Sequence, residues 1–218
     1  EPLRRGPAEA PPANESLPGL RDNVLLRQAL AGLSPTPTAP ELMNVARQFL
    51  QGHVFLRVQG DARELLAEGK PLPLSVAARG DTQYVLAYSG AVALQDAVRA
   101  DGDLGTSAAG QPVLAVLRHV LAGPFGGIIL DNSSTPARAV LPRPLLERAL
   151  AQADEQLRMK TLLAAERTDS TAAEAAALLT EVPVWVAVRS GEEGPVGVAE
   201  SRTSDGGRYL ELFSHPLE

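Results

Sequence analysis

Apolar positions along the chain form strand-like patterns that return at long intervals. Val54-Phe55-Leu56-Arg57-Val58 alternates as a strand does, and Val184-Trp185-Val186-Ala187-Val188 repeats it at an offset of 184 − 54 = 130. Tyr84-Val85-Leu86-Ala87-Tyr88-Ser89 likewise returns as Tyr209-Leu210-Glu211-Leu212-Phe213-Ser214, at an offset of 209 − 84 = 125. The difference between the two offsets fits a shortened connection between the same two strands. Intervals this long exceed those of solenoid repeats and suit two related domains in tandem. The pattern predicts an α/β (α+β) chain of two helix-flanked mixed β-sheet units, the second incomplete.

Local signals place the other elements. Asn23 is a helix N-cap for Leu25, Leu26, Ala29 and Leu30, with Gly32 as the stop. Pro35, Pro37 and Pro40 impose a loop before a helix that carries Leu42, Val45, Ala46, Phe49 and Leu50. After the strand at 54–58, the stretch 60–70 predicts a helical turn around Leu65 and Leu66. A strand at 74–79 turns at Gly80-Asp81 into the strand ending at Tyr88. Ser89 is expected to cap a helix with Val92, Leu94, Ala97 and Val98 on its apolar side. The stretch 101–110 reads as a loop, Pro112 opens an apolar helix, and Ile128-Ile129-Leu130 reads as a strand inside a sheet. One long helix is expected over 143–166, on a stripe of Leu146, Ala149, Leu150, Ala153 and Leu157. In the second unit a helix near 171–180 precedes strands at 184–188, 196–201 and 208–213. The resulting divisions are a flexible Pro-rich tail at 1–22, a first domain at 23–150, a bridging helix and linker at 151–169, and a truncated second copy at 170–218.

Strand alternation puts Val54, Leu56 and Val58 on one face, matched by Val184, Val186 and Val188, and sets Phe55 against Trp185. Both faces are expected to be covered by helices. Glu211 stands where the first copy has Leu86, between Tyr209 and Phe213. A carboxylate is rarely buried without a partner, so this side of the second copy should be wetter. Trp185, Tyr209, Glu211 and Phe213 therefore form a candidate partner contact. The competing reading is core filling by the aromatics, with Glu211 at a sheet edge.

Composition changes this picture little. With 44% hydrophobic and 21% charged residues, the 218-residue chain is ordinary for a globular protein. A net charge of −6 argues against nucleic acid as a partner and would suit a basic protein. There is no cysteine, so disulfides, thiolate metal sites and thiol nucleophiles are excluded, and a cytoplasmic location is expected. No apolar run is long enough to span a membrane, so no membrane partner is expected. The chain opens on Glu1 rather than methionine, which leaves a removed leader open; the residues present resemble no signal peptide.

Candidate chemistry is sparse. His53, His119 and His215 lack ligand spacing. His119 is expected to be a packed or rim residue of its helix, and the other two to be surface residues. The glycine-rich stretch 122–127 leads from helix to strand, opposite to a phosphate-cradling loop, and has no lysine. Asp131, Asn132 and Ser133 follow a buried strand, where ligands bind in many α/β proteins, and form a candidate ligand turn. The competing reading is a polar turn that caps the next element. No catalytic residue, cofactor site or metal site is assigned.

Two segments resemble the SseB-like family of bacterial proteins, named for an enhanced serine sensitivity phenotype. They are Leu72-Pro73-Leu74-Ser75-Val76 leading to Tyr84-Val85-Leu86-Ala87-Tyr88-Ser89, and Gly127-Ile128-Ile129-Leu130-Asp131-Asn132. The chain departs from the family at Tyr88-Ser89-Gly90, where an aromatic-Thr-Ser step is usual, and at Ser133, where proline is usual. The resemblance covers about 40–150, with a weaker echo at 170–218. It implies a small α/β domain in a non-enzymatic role, often in tandem. The leading expectation is thus an interaction or regulatory protein with another protein as partner, and a homo-oligomer is left open. An immunity protein or secretion-associated adaptor is the alternative, and a ligand binder or enzyme using the turn at 131–134 is the third reading.

Overall fold

The computed structural model describes residues 14–16, 21–134, 138–189, 197–202 and 204–215. Helix α1 (Val24–Ala31) starts where Asn23 accepts a bond from the Leu26 amide at 3.0 Å, and the same side chain donates to the Gln51 carbonyl at 2.8 Å. Helix α2 (Ala39–Phe49) opens on a reciprocal box: Thr38 accepts from the Glu41 amide, and Glu41 accepts from the Thr38 amide and from Ser34. These donors hold the Glu41 carboxyl down to about 2.

Strand β1 (His53–Gln59), helix α3 (Ala62–Ala67), strand β2 (Val76–Arg79) and strand β3 (Thr82–Tyr88) follow, with Gly80 at positive φ between β2 and β3. Helix α4 (Ala91–Asp101), strand β4 (Thr106–Pro112) and helix α5 (Val113–Ala122) then lead to strands β5 (Gly127–Leu130) and β6 (Ala139–Pro142) and helix α6 (Arg143–Ala151). The sheet runs β4-β1-β3-β5-β6, with β2 also on β3. Its pairs are antiparallel except β3 with β5, which are parallel and joined by a crossover through α4, β4 and α5. Alternation along β3 sends Val85 and Ala87 into the large core against α2 and α5, and Leu86 and Tyr88 beneath α4 with Phe55. The mixed, helix-flanked sheet is the expected α/β class.

Three expectations about these elements are corrected. The supposed loop at 101–110 holds β4, which pairs along the whole of β1 from His53–Pro112 to Gln59–Thr106. Its Ser107-Ala108-Ala109-Gly110 run has weak strand propensity, and only the distant partner selects the extended form. Strand β6, which follows the turn after β5, also went unpredicted. The long helix over 143–166 is broken into α6 and α7 (Arg158–Ala164). Asp154 interrupts it: its carboxylate accepts from the Arg158 amide at 2.6 Å and the Met159 amide at 3.4 Å, while Leu157 takes a positive φ of 52°.

Beyond helix α8 (Thr171–Leu178) come short strands, β7 (Trp185–Val186), β8 (Val188–Arg189), β9 (Gly197–Val198), β10 (Glu200–Arg202), β11 (Arg208–Leu210) and β12 (Leu212–Phe213), with single-residue breaks at Ala187, Ala199 and Glu211. Their pairing repeats that of β1, β2 and β3. Phe55 lies opposite Tyr88 and Leu56 opposite Ala87; Trp185 lies opposite Phe213 and Val186 opposite Leu212. Val58 bridges to Leu74 as Val188 pairs with Val198. Val76 faces Val85 as Glu200 faces Leu210. Phe55 and Trp185 thus hold like topological positions, at the offsets read from the sequence.

Candidate functional site

The turn after β5 sits beside the C-terminal end of the parallel strand β3. Asp131 is buried, in a left-handed conformation with φ 48°, and its amide donates to the Ala87 carbonyl at 3.0 Å. Its carboxylate is engaged from within: the Ser89 amide and the Ser89 hydroxyl each donate to it at 2.7 Å. Ser89 therefore does not cap α4, as the sequence led us to expect. Gly90 is the N-cap of that helix, and the Ala91 amide donates instead to Asp22 at 3.2 Å. Asp22 also accepts from Asn14 at 2.7 Å and from Ser16, with Arg27 3.6 Å away. A β-carbon on Gly90 would come within 2.8 Å of the Asp22 carboxylate. Where ligands bind in open α/β sheets, Asp22 and Asp131 are thus both engaged by protein partners. Asn132 and Ser133 are half-buried beside Asp131. Of the expected tail at 1–22, residues 1–13 and 17–20 lie outside the described residues.

Burial pushes the Asp131 carboxyl up from 3.8 to about 6, against the lowering effect of the Ser89 donors. The folded state therefore holds this proton more tightly than the unfolded chain. The group's contribution to stability falls as pH rises from 3.8 to about 6. Asp131→Asn should flatten that dependence and stay folded, because asparagine tolerates positive φ and can both accept from the Ser89 amide and donate to its hydroxyl. Asp131→Ala strands both Ser89 groups and should cost about 2–3 kcal/mol. Urea denaturation of the three proteins at pH 4 and pH 7 checks both outcomes; equal pH slopes in wild type and Asp131→Asn would refute the account.

Under α4, Arg57 crosses from β1 and is bound by Asp101, the Asp103 carbonyl and Thr106. This holds the Asp101 carboxyl down to about 2. The neighbouring Tyr88 hydroxyl is buried without a hydrogen-bond partner among the described residues, and its burial raises the phenol pKa.

The histidines stay apart. His53 is exposed at the start of β1, and His119 is exposed on α5 with its ring 5.5 Å from that of Phe125. His215, expected at the surface, is fully buried with Nε2 2.8 Å from the Ala149 carbonyl, because the segment after β12 turns into α6. Among the described residues no group of three His, Asp or Glu side chains gathers to hold a metal ion. No helix among them is long and apolar enough to cross a membrane.

The second candidate, the aromatic strip, comes together in part. Trp185 is 39% exposed and faces Phe213 across the β7–β12 pair, with Glu211 and Tyr209 following along the same chain segment, half-buried. The opposite side corrects the expectation that both faces are covered. Val188 is 57% exposed and Leu212 47%, where Val58 and Ala87 at the matching positions are 0%. Val186, Val198 and Leu210 extend this patch, and Glu200 and Arg208 pair at its rim at 2.8 Å. Sequence reasoning missed the patch by pairing valine with burial. The available signal was α8: its Thr-Ala-Ala-Glu-Ala-Ala-Ala-Leu run lacks the bulk that Val45 and Phe49 bring to α2, and none of its residues is buried.

Two hollows lie outside both candidates. One, of about 660 Å³, opens between α7 and α8 beside Arg158, Leu162 and Glu181; the other, of about 230 Å³, is bordered by Leu56, Leu72, Leu74, Val116 and His119. Compared with known protein families, curated proteins and solved structures, the chain finds no match.

Proposed function

We propose that the chain is a non-enzymatic protein-interaction or regulatory protein of the SseB-like type. In this reading 170–218 holds a second copy of the helix and strands that begin with α2, and its exposed sheet face meets another protein. One observation carries the reading: positions equivalent by pairing register are buried in the first unit and exposed in the second, Val58 against Val188 being the clearest. A contiguous apolar patch with a charged rim has the anatomy of a recognition surface. The turn at 131–134 supports a ligand-binding reading less well, since its carboxylate is satisfied by Ser89.

Val188→Asp and Leu212→Asp each place a charge in the patch while leaving the half-exposed backbone pairing in place. Each should reduce partner retention from a lysate of the source cells by about tenfold or more, whereas Arg99→Ala, at an exposed position of α4, should not. Unchanged circular dichroism would show that the variants fold. Partner retention equal to wild type in both would sink the reading, as would robust small-molecule turnover by the purified chain. The adaptor or immunity alternative draws on the net charge of −6 and the strip around Glu211. Co-expression that relieves a neighbouring toxin, with loss of relief in Glu211→Lys, would favour it.

A further inference from the structure

The smaller hollow, of about 230 Å³, has walls that the fold holds in place. One wall is the Pro-Leu-Pro-Leu-Ser stretch at 71–75, where Pro71 and Pro73 fix the backbone. It is tied along β1: the Gln59 amide donates to the Pro73 carbonyl at 3.2 Å, and the Ser75 amide to the Arg57 carbonyl at 3.0 Å. The other wall is α5, whose Val113, Leu117 and Val120 are committed to the core around Val54 and Leu56. Pairing sets Val54 opposite Gln111 and Leu56 opposite Ala109, so Gln111 lies on the sheet face that α5 covers. On that face the large core adjoins the small cluster of Val58, Ala62 and Ala109, and Leu74 packs on both. The hollow opens beside this junction, so its shape follows from elements that are already packed and cannot close over it.

We propose that the hollow binds a small uncharged molecule with an apolar ring or short chain and a single hydroxyl or amide head. Leu56, Leu74 and Val116 supply the apolar lining. A cavity of about 150 Å³ in another protein holds benzene, so the volume here suits a ring with a substituent. Among the described residues, Gln111 and His119 carry the only polar side chains around it. Neither side chain hydrogen-bonds to another described residue, and each offers a donor and an acceptor. No Lys, Arg, Asp or Glu lines the hollow, so a charged head would leave water without a counter-ion. This site belongs to the first unit and stands independently of the exposed patch around Val188.

The probe is 4-methylphenol, titrated into the full chain and followed by NMR of the leucine and valine methyl groups. Saturable shifts are expected at Leu56, Leu74 and Val116, with a dissociation constant on the order of 1 mM or below. The charged analogue 4-methylbenzoate should bind about tenfold more weakly. Ala115→Leu, at an exposed position of α5 that borders the hollow, keeps a good helix former there and should weaken binding about tenfold by filling the space. Gln111→Leu should weaken 4-methylphenol about fivefold while leaving toluene unchanged, since only the head loses its partner. Shifts that never saturate, unchanged binding by Ala115→Leu, or strongest shifts at Leu162 and Leu178 in the other hollow would overturn the proposal. Equal affinity for 4-methylphenol and 4-methylbenzoate would overturn the assignment of an uncharged head.

Discussion

Gly127→Ala is expected to destabilise the protein by about 3–5 kcal/mol, the sum of a strained backbone and an unrelieved clash. Gly127 opens β5 with φ 142°, a region that side-chain-bearing residues rarely enter. A β-carbon there would lie 2.1 Å from the Leu141 carbonyl oxygen and 3.0 Å from the Arg143 amide nitrogen. These are backbone atoms of the β6–α6 junction, and they cannot swing aside as a side-chain tip would. The junction is further pinned by the Arg143 amide, which donates to the Gly126 carbonyl at 2.7 Å, and by the Arg143 guanidinium, which binds the carbonyls of Val120, Gly123 and Phe125. Any relaxation would therefore disturb β5, β6 and the end of α5 together. Gly69→Ala is the control: its φ is also positive, at 66°, but nothing lies within 4 Å, so only the conformational cost of about 1 kcal/mol applies. Thermal melts should show a fall on the order of 10 °C for Gly127→Ala. A fall no larger than that of Gly69→Ala would show that the junction yields.

The second large effect comes from making the same substitution at two register-equivalent valines. Val58→Asp should cost about 3–5 kcal/mol, because it buries a carboxylate with no cation or donor arranged for it. Val58 is fully buried with Ala62 and Ala109 and packs beside Leu74. That cost is a large share of the total stability of an ordinary domain, so the expected result is poor recovery of folded protein. Val188→Asp leaves the new charge in water and should change stability by no more than about 1 kcal/mol, while it weakens partner binding. Urea unfolding of both variants is the measurement. Equal losses of stability would mean that the strands of 185–213 bury their valine face after all, and would remove the basis for an interaction surface.

Much of the local structure was legible beforehand because its causes are local. Asn23 starts α1 with a bond that spans three residues, Pro40 sits in the first turn of α2, and Gly80 turns β2 into β3 because it can take a positive φ. The alternation of Val54 to Val58 and Tyr84 to Tyr88 predicted which side chains share a face. The offsets of 130 and 125 anticipated which residues of 184–213 stand in the positions of Phe55, Leu56, Val58, Val85 and Tyr88. Of the candidate site, the pairing of Trp185 with Phe213 follows from the same offsets.

What only the tertiary structure decided depends on partners far away in the chain. The extended form of Ser107-Ala108-Ala109-Gly110 comes from β1, about fifty residues earlier, and not from its own propensity. Ser89 could bond a helix end or a carboxylate, and Asp131, placed beside it by the parallel β3–β5 pair, takes it. His215 is polar by type but is buried against Ala149 by the path of the chain after β12. Most consequential is the valine face of 184–188. Hydrophobicity measures what a side chain gains on leaving water; whether another element arrives to exclude the water is a property of the assembled fold. Periodicity thus determined which residues form that face, and the shortness of the side chains on α8 decided that it meets solvent.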